Sequence, residues 1–186
     1  MARLSKITTK TGDQGTSSLS DGVRISKADR VFEVMGDVDE LNAHLGHLAG
    51  LIVSSTDADS PADLVTRLHQ VQQQLFNIGG QLSMPDYEGI TVVQLQQLDD
   101  WIQQDNAQLP PLKEFILPRG SQMVTQCHIA RTVCRRVERH FFAWSEQAKL
   151  PLIGQYLNRL SDWLFITARQ LQQQPEQHWQ KMNIDS

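Results

Sequence analysis

The chain has 186 residues, 40% of them hydrophobic and 6% aromatic, with 17 basic against 21 acidic side chains. That length suits one compact domain whose core needs no disulfide or metal to hold it, and a net charge of −4 argues against a nucleic-acid coat or a polybasic membrane binder. No apolar run approaches the roughly 20 residues of a membrane span, and Met1-Ala2-Arg3-Leu4-Ser5-Lys6 has no apolar signal core behind it, so the expected location is the cytoplasm.

Residues 1–30 hold Gly12, Gly15 and Gly22 among Thr, Ser, Lys and Asp and show no sustained period, which predicts a loop region. From Val31 the period turns helical. Val38, Leu41, Leu45, Leu48 and Ile52 step by three and four, predicting an amphipathic helix over 31–53. After a polar linker, Ser60-Pro61 is expected to open a second helix, with Leu64, Leu68, Val71, Leu75, Ile78 and Leu82 as its stripe. Gly79-Gly80 inside that stripe signals close packing or early fraying. Thr91 with Gln94 has the form of a capping box, and Leu95, Leu98 and Ile102 carry a third helix to about Asn106.

Pro110-Pro111 ends that helix, and Phe115-Ile116-Leu117-Pro118 is a short extended stretch leading through Gly120-Ser121 into a fourth. There Cys127, Ala130, Cys134, Val137 and Phe141 repeat at three and four. The two cysteines, seven apart on one helix, stand about 10 Å from each other, too far to bridge, and are expected to stay reduced. Pro151 starts a fifth helix, buried through Ile153, Leu157, Leu160, Leu164, Ala168 and Leu171. No run of four to eight residues reads as a strand. The expected fold is all-α: a five-helix antiparallel bundle over 31–174 in one domain, 1–186, with a loose glutamine-rich tail over 175–186.

Three segments exceed what a plain bundle needs. Thr9-Lys10-Thr11-Gly12-Asp13-Gln14-Gly15-Thr16-Ser17-Ser18 has the glycines, hydroxyls and lysine that cradle an anion, though not the Walker A spacing; by composition it also fits a flexible terminus. Arg131, Arg135 and Arg139 recur every four residues along a ridge about 12 Å long, with Arg136 beside them and Glu138 the one acid among them. Such a ridge meets either a polyphosphate or acids on neighbouring helices. Asn158 and Asp162 share a face beside Leu157 and Leu160, where polar groups need partners from a nucleoside or from an interhelical network. His44 and His47 lack a ligand set at metal spacing and read as ordinary helix histidines. Neither Glu-x-x-His nor Gly-x-Ser-x-Gly occurs.

Taken in order, Thr9–Gly15, Val38-Asp39-Glu40-Leu41-Asn42, Phe115–Pro118, the Arg131–Arg139 run and Tyr156-Leu157-Asn158-Arg159-Leu160-Ser161-Asp162 resemble the PduO-type ATP:cob(I)alamin adenosyltransferases across about residues 5–170. The resemblance implies a five-helix bundle, a homotrimer with active sites between subunits, and attack of a corrinoid's Co(I) on the 5′ carbon of ATP, accompanied by Mg²⁺, with loss of triphosphate. It implies nucleotide contacts from Thr9, Lys10, Thr11, Gly12, Ser17, Ser18 and Lys27, and from Arg135, Arg136, Glu138, Arg139 and Asn158. Arg131 matches an arginine that pairs across the subunit boundary with the acid at Asp39. Phe115 matches an aromatic that crowds the corrin's lower face and displaces its axial ligand, which eases reduction of Co(II).

A reductase and an adenosylcobalamin-dependent client enzyme are the implied partners. Gln14 stands where many relatives carry lysine, Arg119 where glycine or serine is commoner, and Trp163 where tyrosine is frequent, the last expected to alter packing alone. Two other readings of the same residues are a carrier that holds ATP or adenosylcobalamin for a client, and a scaffold whose arginines only make subunit salt bridges.

Overall fold

The structure is a computed structural model, and it describes residues 7–55, 61, 63–84 and 86–180. Five helices carry it: α1 (Arg30–Ser54), α2 (Leu64–Ser83), α3 (Val92–Asn106), α4 (Gln122–Ala143) and α5 (Pro151–Gln170). Each predicted apolar stripe of α1, α2, α4 and α5 is buried in one continuous core.

The helix starts follow local chemistry. Asp29 accepts from Val31 N at the start of α1, and Ser121 accepts from Val124 N at the start of α4. The Thr91 and Gln94 box is made, with Thr91 N donating to Gln94 Oε1 at 2.9 Å. Pro151 occupies the first turn of α5, where its missing N–H costs nothing. The expected start of α2 is corrected: Pro61 precedes the helix, accepting from Leu64 N at 3.0 Å, and Ser60 lies outside the described residues. α2 runs unbroken through Gly79-Gly80, and the ring of Tyr87 packs over Gly80.

Consecutive helices alternate in direction. The order across the bundle is α2, α1, α4, α5, α3, so α1 and α4 are antiparallel while α3 and α5 run parallel where they meet. A buried knot closes the ring between α2 and α3. Asp105 accepts from Arg67 Nη1 at 3.1 Å on both carboxylate oxygens and from Trp163 Nε1 at 3.2 Å, and Arg67 lies over the Trp101 ring. Trp163 therefore does more than pack, contrary to expectation: its indole N–H satisfies a buried carboxylate. Cys127 and Cys134 are free and buried on α4, and burial pushes the Cys127 thiol up to about 12.

Two features lie outside the expected all-helical plan. Thr16–Ser18 (β1) and Arg24–Ser26 (β2) pair antiparallel as a small hairpin, with Ser17 opposite Ile25. The hairpin hangs on the end of α2, where Ser20 Oγ donates to Ser83 O at 2.6 Å. The tail is also held as far as Trp179, correcting the expected loose segment over that stretch; residues 181–186 of it lie outside the described residues. Leu117 N donates to Gln177 O at 2.8 Å and Trp179 N donates to Phe115 O at 2.7 Å, so residues 176–179 form a strap against the Phe115 segment.

Candidate active site

The arginine run of α4 divides by neighbourhood. Arg136 reaches across to α1, where it pairs with Glu40 and, at 3.4 Å, with Asp37; His140 one turn later meets Asp37 at 2.5 Å. Acids on a neighbouring helix thus answer the charge of Arg136. Arg135 and Arg139 are exposed, and among the described residues neither has a carboxylate within ion-pair distance. Arg139 Nη1 donates to the carbonyl of Arg135 at 3.1 Å, so the two side chains lie along one edge. Two adjacent guanidiniums without a counter-charge form a surface suited to a multivalent anion.

Beside that edge Asn158 of α5 donates to Glu138 of α4 at 3.0 Å, and Ser161 Oγ donates to Asn158 O. The network anticipated around Asn158 is present, and it joins two of the predicted site residues. Arg131 sits deeper, its guanidinium over the Phe165 ring at 5.9 Å and its Nε buried without a partner. Burial first, then the charge of Arg135, lowers its pKa from the ordinary arginine value. Asp39 is exposed on another face of α1, so Arg131 and Asp39 do not meet within this chain.

In the leading segment, Lys10 adopts φ 60° and Gly15 φ 76°, the left-handed conformations of a tight turn. Thr9 and Thr11 share a hydroxyl–hydroxyl bond at 3.0 Å. The ammonium of Lys27 lies over Gly12, 2.8 Å from where a Cβ would stand, so a side chain at 12 would displace it. Ser17 and Ser18 follow on β1. Sequence reasoning missed the residue that organises this turn. Arg24 donates to Thr11 O at 2.5 Å, to Thr16 O at 2.8 Å and to Thr16 Oγ1 at 2.8 Å. Its only signal was a basic residue three before Lys27, on what became β2. No hydrogen bond or ion pair among the described residues joins segment 9–27 to Arg135, Arg136, Glu138, Arg139 or Asn158.

Phe115 is 81% exposed and stands at an open cleft of about 590 Å³, lined also by Leu112, Phe165 and Trp179. Arg119 turns away from that cleft and donates to Gln177 Oε1 at 2.5 Å, clipping the strap. Gln14 is exposed.

A sequence profile of the cobalamin adenosyltransferase family matches residues 7–171. The chain belongs to this family. It is 49% identical over 170 residues to a cobalamin adenosyltransferase of Cupriavidus metallidurans, covering 91% of this chain and 89% of that one. It is 40% identical over 178 residues to a corrinoid adenosyltransferase of Mycobacterium bovis, covering 89% and 88%. A variant PduO-type ATP:corrinoid adenosyltransferase from Lactobacillus reuteri, complexed with cobalamin and ATP, superposes with a TM-score of 0.81 at 28% identity, over 95% of this chain and all of that one. The bundle, the hairpin and the enzyme class are accordingly those of a corrinoid adenosyltransferase. Among the described residues no helix of this adenosyltransferase is long and apolar enough to cross a membrane.

Proposed function

We propose that this adenosyltransferase moves the 5′-deoxyadenosyl group of ATP to the Co(I) of a reduced corrinoid, releasing triphosphate. The observation that carries the reading is the pair Arg135 and Arg139, exposed and without a carboxylate partner among the described residues, on a helix whose Arg136 is already paired. In the transfer the cobalt lone pair forms the Co–C bond, the C5′–O bond breaks, and its electron pair leaves on triphosphate. No proton needs to move, so no general base is required. The barrier lies in the charge that gathers on the departing oxygens, and fixed guanidiniums aimed at that charge lower it.

Thr9, Lys10, Thr11, Gly12, Ser17, Ser18 and Lys27 supply the second wall, with backbone N–H groups, hydroxyls and two ammoniums around the phosphates. Glu138 and Asn158 are assigned to the nucleoside end, where their mutual hydrogen bond pre-orients an acceptor and a donor. Arg136 holds α4 against α1 beneath the ridge and faces the nucleotide only at its edge. Mg²⁺ is the expected companion of ATP, and beside Arg135 and Arg139 it would neutralise part of the charge on the phosphates.

Phe115, with Phe165 and Trp179 at the same cleft, faces the corrin's lower side. An apolar wedge there excludes water and the axial ligand, which makes Co(II) easier to reduce. Two copies complete each site. The lack, among the described residues, of any hydrogen bond or ion pair between segment 9–27 and the arginine edge supports this, as does the placement of Asp39 on another face of α1 from the one Arg131 meets; in the proposed homotrimer Arg131 and Asp39 pair across the subunit boundary. A reductase that supplies Co(I) and an adenosylcobalamin-dependent acceptor are the partners such chemistry calls for. The two buried, unbridged cysteines fit a cytoplasmic location.

The test is turnover with chemically reduced cob(I)alamin and ATP. Adenosylcobalamin and triphosphate forming in equal amounts over many turnovers is the expected result. Binding of both substrates without triphosphate release would make the protein a carrier, and no binding of ATP would leave only a scaffold.

A further inference from the structure

We infer that the buried ion pair between Arg169 and Glu176 is the device that positions Phe115, and through it sets how readily a Co(II) corrinoid loses its lower ligand. This rests on the role proposed above for Phe115. Because Phe115 is 81% exposed, packing of its own side chain cannot fix it, and the backbone must. That backbone is held by the strap: Phe115 O accepts from Trp179 N at 2.7 Å, and Leu117 N donates to Gln177 O at 2.8 Å. Two such bonds on a two-stranded patch are marginal in water.

Arg169, on the last turn of α5, fastens the patch from both sides. Its Nε donates to Glu176 Oε1 at 2.7 Å and its Nη2 to Glu176 Oε2 at 3.5 Å, anchoring the start of the strap. The same Nη2 donates to Pro110 O at 2.8 Å, anchoring the start of the Phe115 segment. The Arg169 side chain is only 4% exposed. Ile116, Leu117, His128 and Gln172 close around it, leaving a cavity of about 10 Å³, room for no more than a single water. A buried guanidinium that loses its carboxylate is left uncompensated, so the strap and the loop move together when the pair is broken. Arg169 touches none of the residues assigned to the nucleotide; it is a positioning residue that acts through the Phe115 backbone.

The test compares Glu176→Gln, Arg169→Lys and Phe115→Ala in the full-length enzyme with ATP and cobalamin, in two assays, one started from Co(II) with a reductant and one from pre-made Co(I). The absorption and electron paramagnetic resonance spectra of bound Co(II) report the fraction without a lower ligand. Glu176→Gln, at a partly exposed position, is expected to lose that fraction and about tenfold in the Co(II)-started rate while staying within about twofold of wild type from Co(I). Arg169→Lys, which keeps the charge but not the fork, should lie between wild type and Glu176→Gln. If Phe115→Ala is selective for Co(II) while Glu176→Gln matches wild type, or loses equally in both assays, the inference fails and the Phe115 reading stands. If Phe115→Ala shows no selectivity, that reading fails and this one with it.

Discussion

Arg135 and Arg136 are adjacent in sequence and opposite in surroundings. Arg136 is tied to Asp37 and Glu40 of α1, whereas Arg135 faces outward with no carboxylate partner among the described residues. A helix rotates about 100° per residue, so one side chain enters the α1–α4 seam as the next leaves it. The two substitutions should therefore separate stability from activity. Arg136→Ala is expected to lower the melting temperature by about 2–4 °C, an effect that shrinks in high salt, because it removes a half-exposed pair of ion contacts. Arg135→Ala should leave the melting temperature unchanged. Thermal scans at low and high salt check both, and equal shifts would contradict the division.

Arg24 holds the turn that presents Thr11 and Gly12 by accepting no help from packing: its bonds go to Thr11 and Thr16 in an exposed segment. Arg24→Ala should raise KM for ATP about fivefold while leaving the cobalamin KM alone. Steady-state kinetics with each substrate varied check this. An unchanged KM for ATP would mean that the nucleotide orders the turn unaided.

Asp105 is the acceptor for both Arg67 and Trp163, with its side chain 7% exposed. Asp105→Ala leaves the Trp163 indole N–H without its acceptor and takes from Arg67 one of its two carboxylates, Asp63 keeping the other at 2.6 Å, and is expected to cost about 2–4 kcal/mol. For a chain of this size that is a fall of roughly 10 °C in melting temperature. Activity measured well below the transition should survive, since Arg67, Asp105 and Trp163 are not among the residues assigned to ATP or the corrin. A fall of less than about 2 °C would show the knot to be energetically idle.

His128 is buried with Nδ1 lacking a partner, and Arg131 on α4, Arg119 in the preceding loop, Arg169 on α5 and Glu176 of the strap surround it. Burial first, and then the Arg131 charge, lower its pKa below the ordinary 6.5. The folded state thus binds this proton less readily than the unfolded chain, so the stability tied to neutral His128 is complete above about pH 6.5 and drains away as the pH falls through the lowered value. His128→Gln should flatten the decline in melting temperature between pH 7 and pH 5. A decline as steep as in wild type would assign it to other groups.

The bundle was legible because helical periodicity is local. Leu64, Leu68, Val71 and Leu75 announce a buried stripe whatever they pack against, and the Thr91 and Gln94 box is complete within four residues. What escaped the sequence was set by pairing at a distance. Strands of three residues, Thr16–Ser18 and Arg24–Ser26, are too short to show a period of two. The strap is glutamine-rich and acquires order only from residues 115–117, some sixty positions earlier. The Ser60-Pro61 signal misled because Pro61 is used to turn the chain ahead of α2. At the site, residue types single out the arginine run, but only geometry distinguishes a guanidinium already paired, Arg136, from one without a carboxylate partner among the described residues, Arg135.

The most direct measurement of the central claim is the single-turnover rate of adenosyl transfer from saturating ATP to pre-made Co(I), compared between wild type and Arg135→Ala. A loss of about 10²–10³-fold with the fold intact and ATP still bound is predicted, as for removal of a group aimed at charge that develops in the transition state. A wild-type rate in that variant would contradict the account, because the departing triphosphate would then be stabilised somewhere other than on this edge of α4.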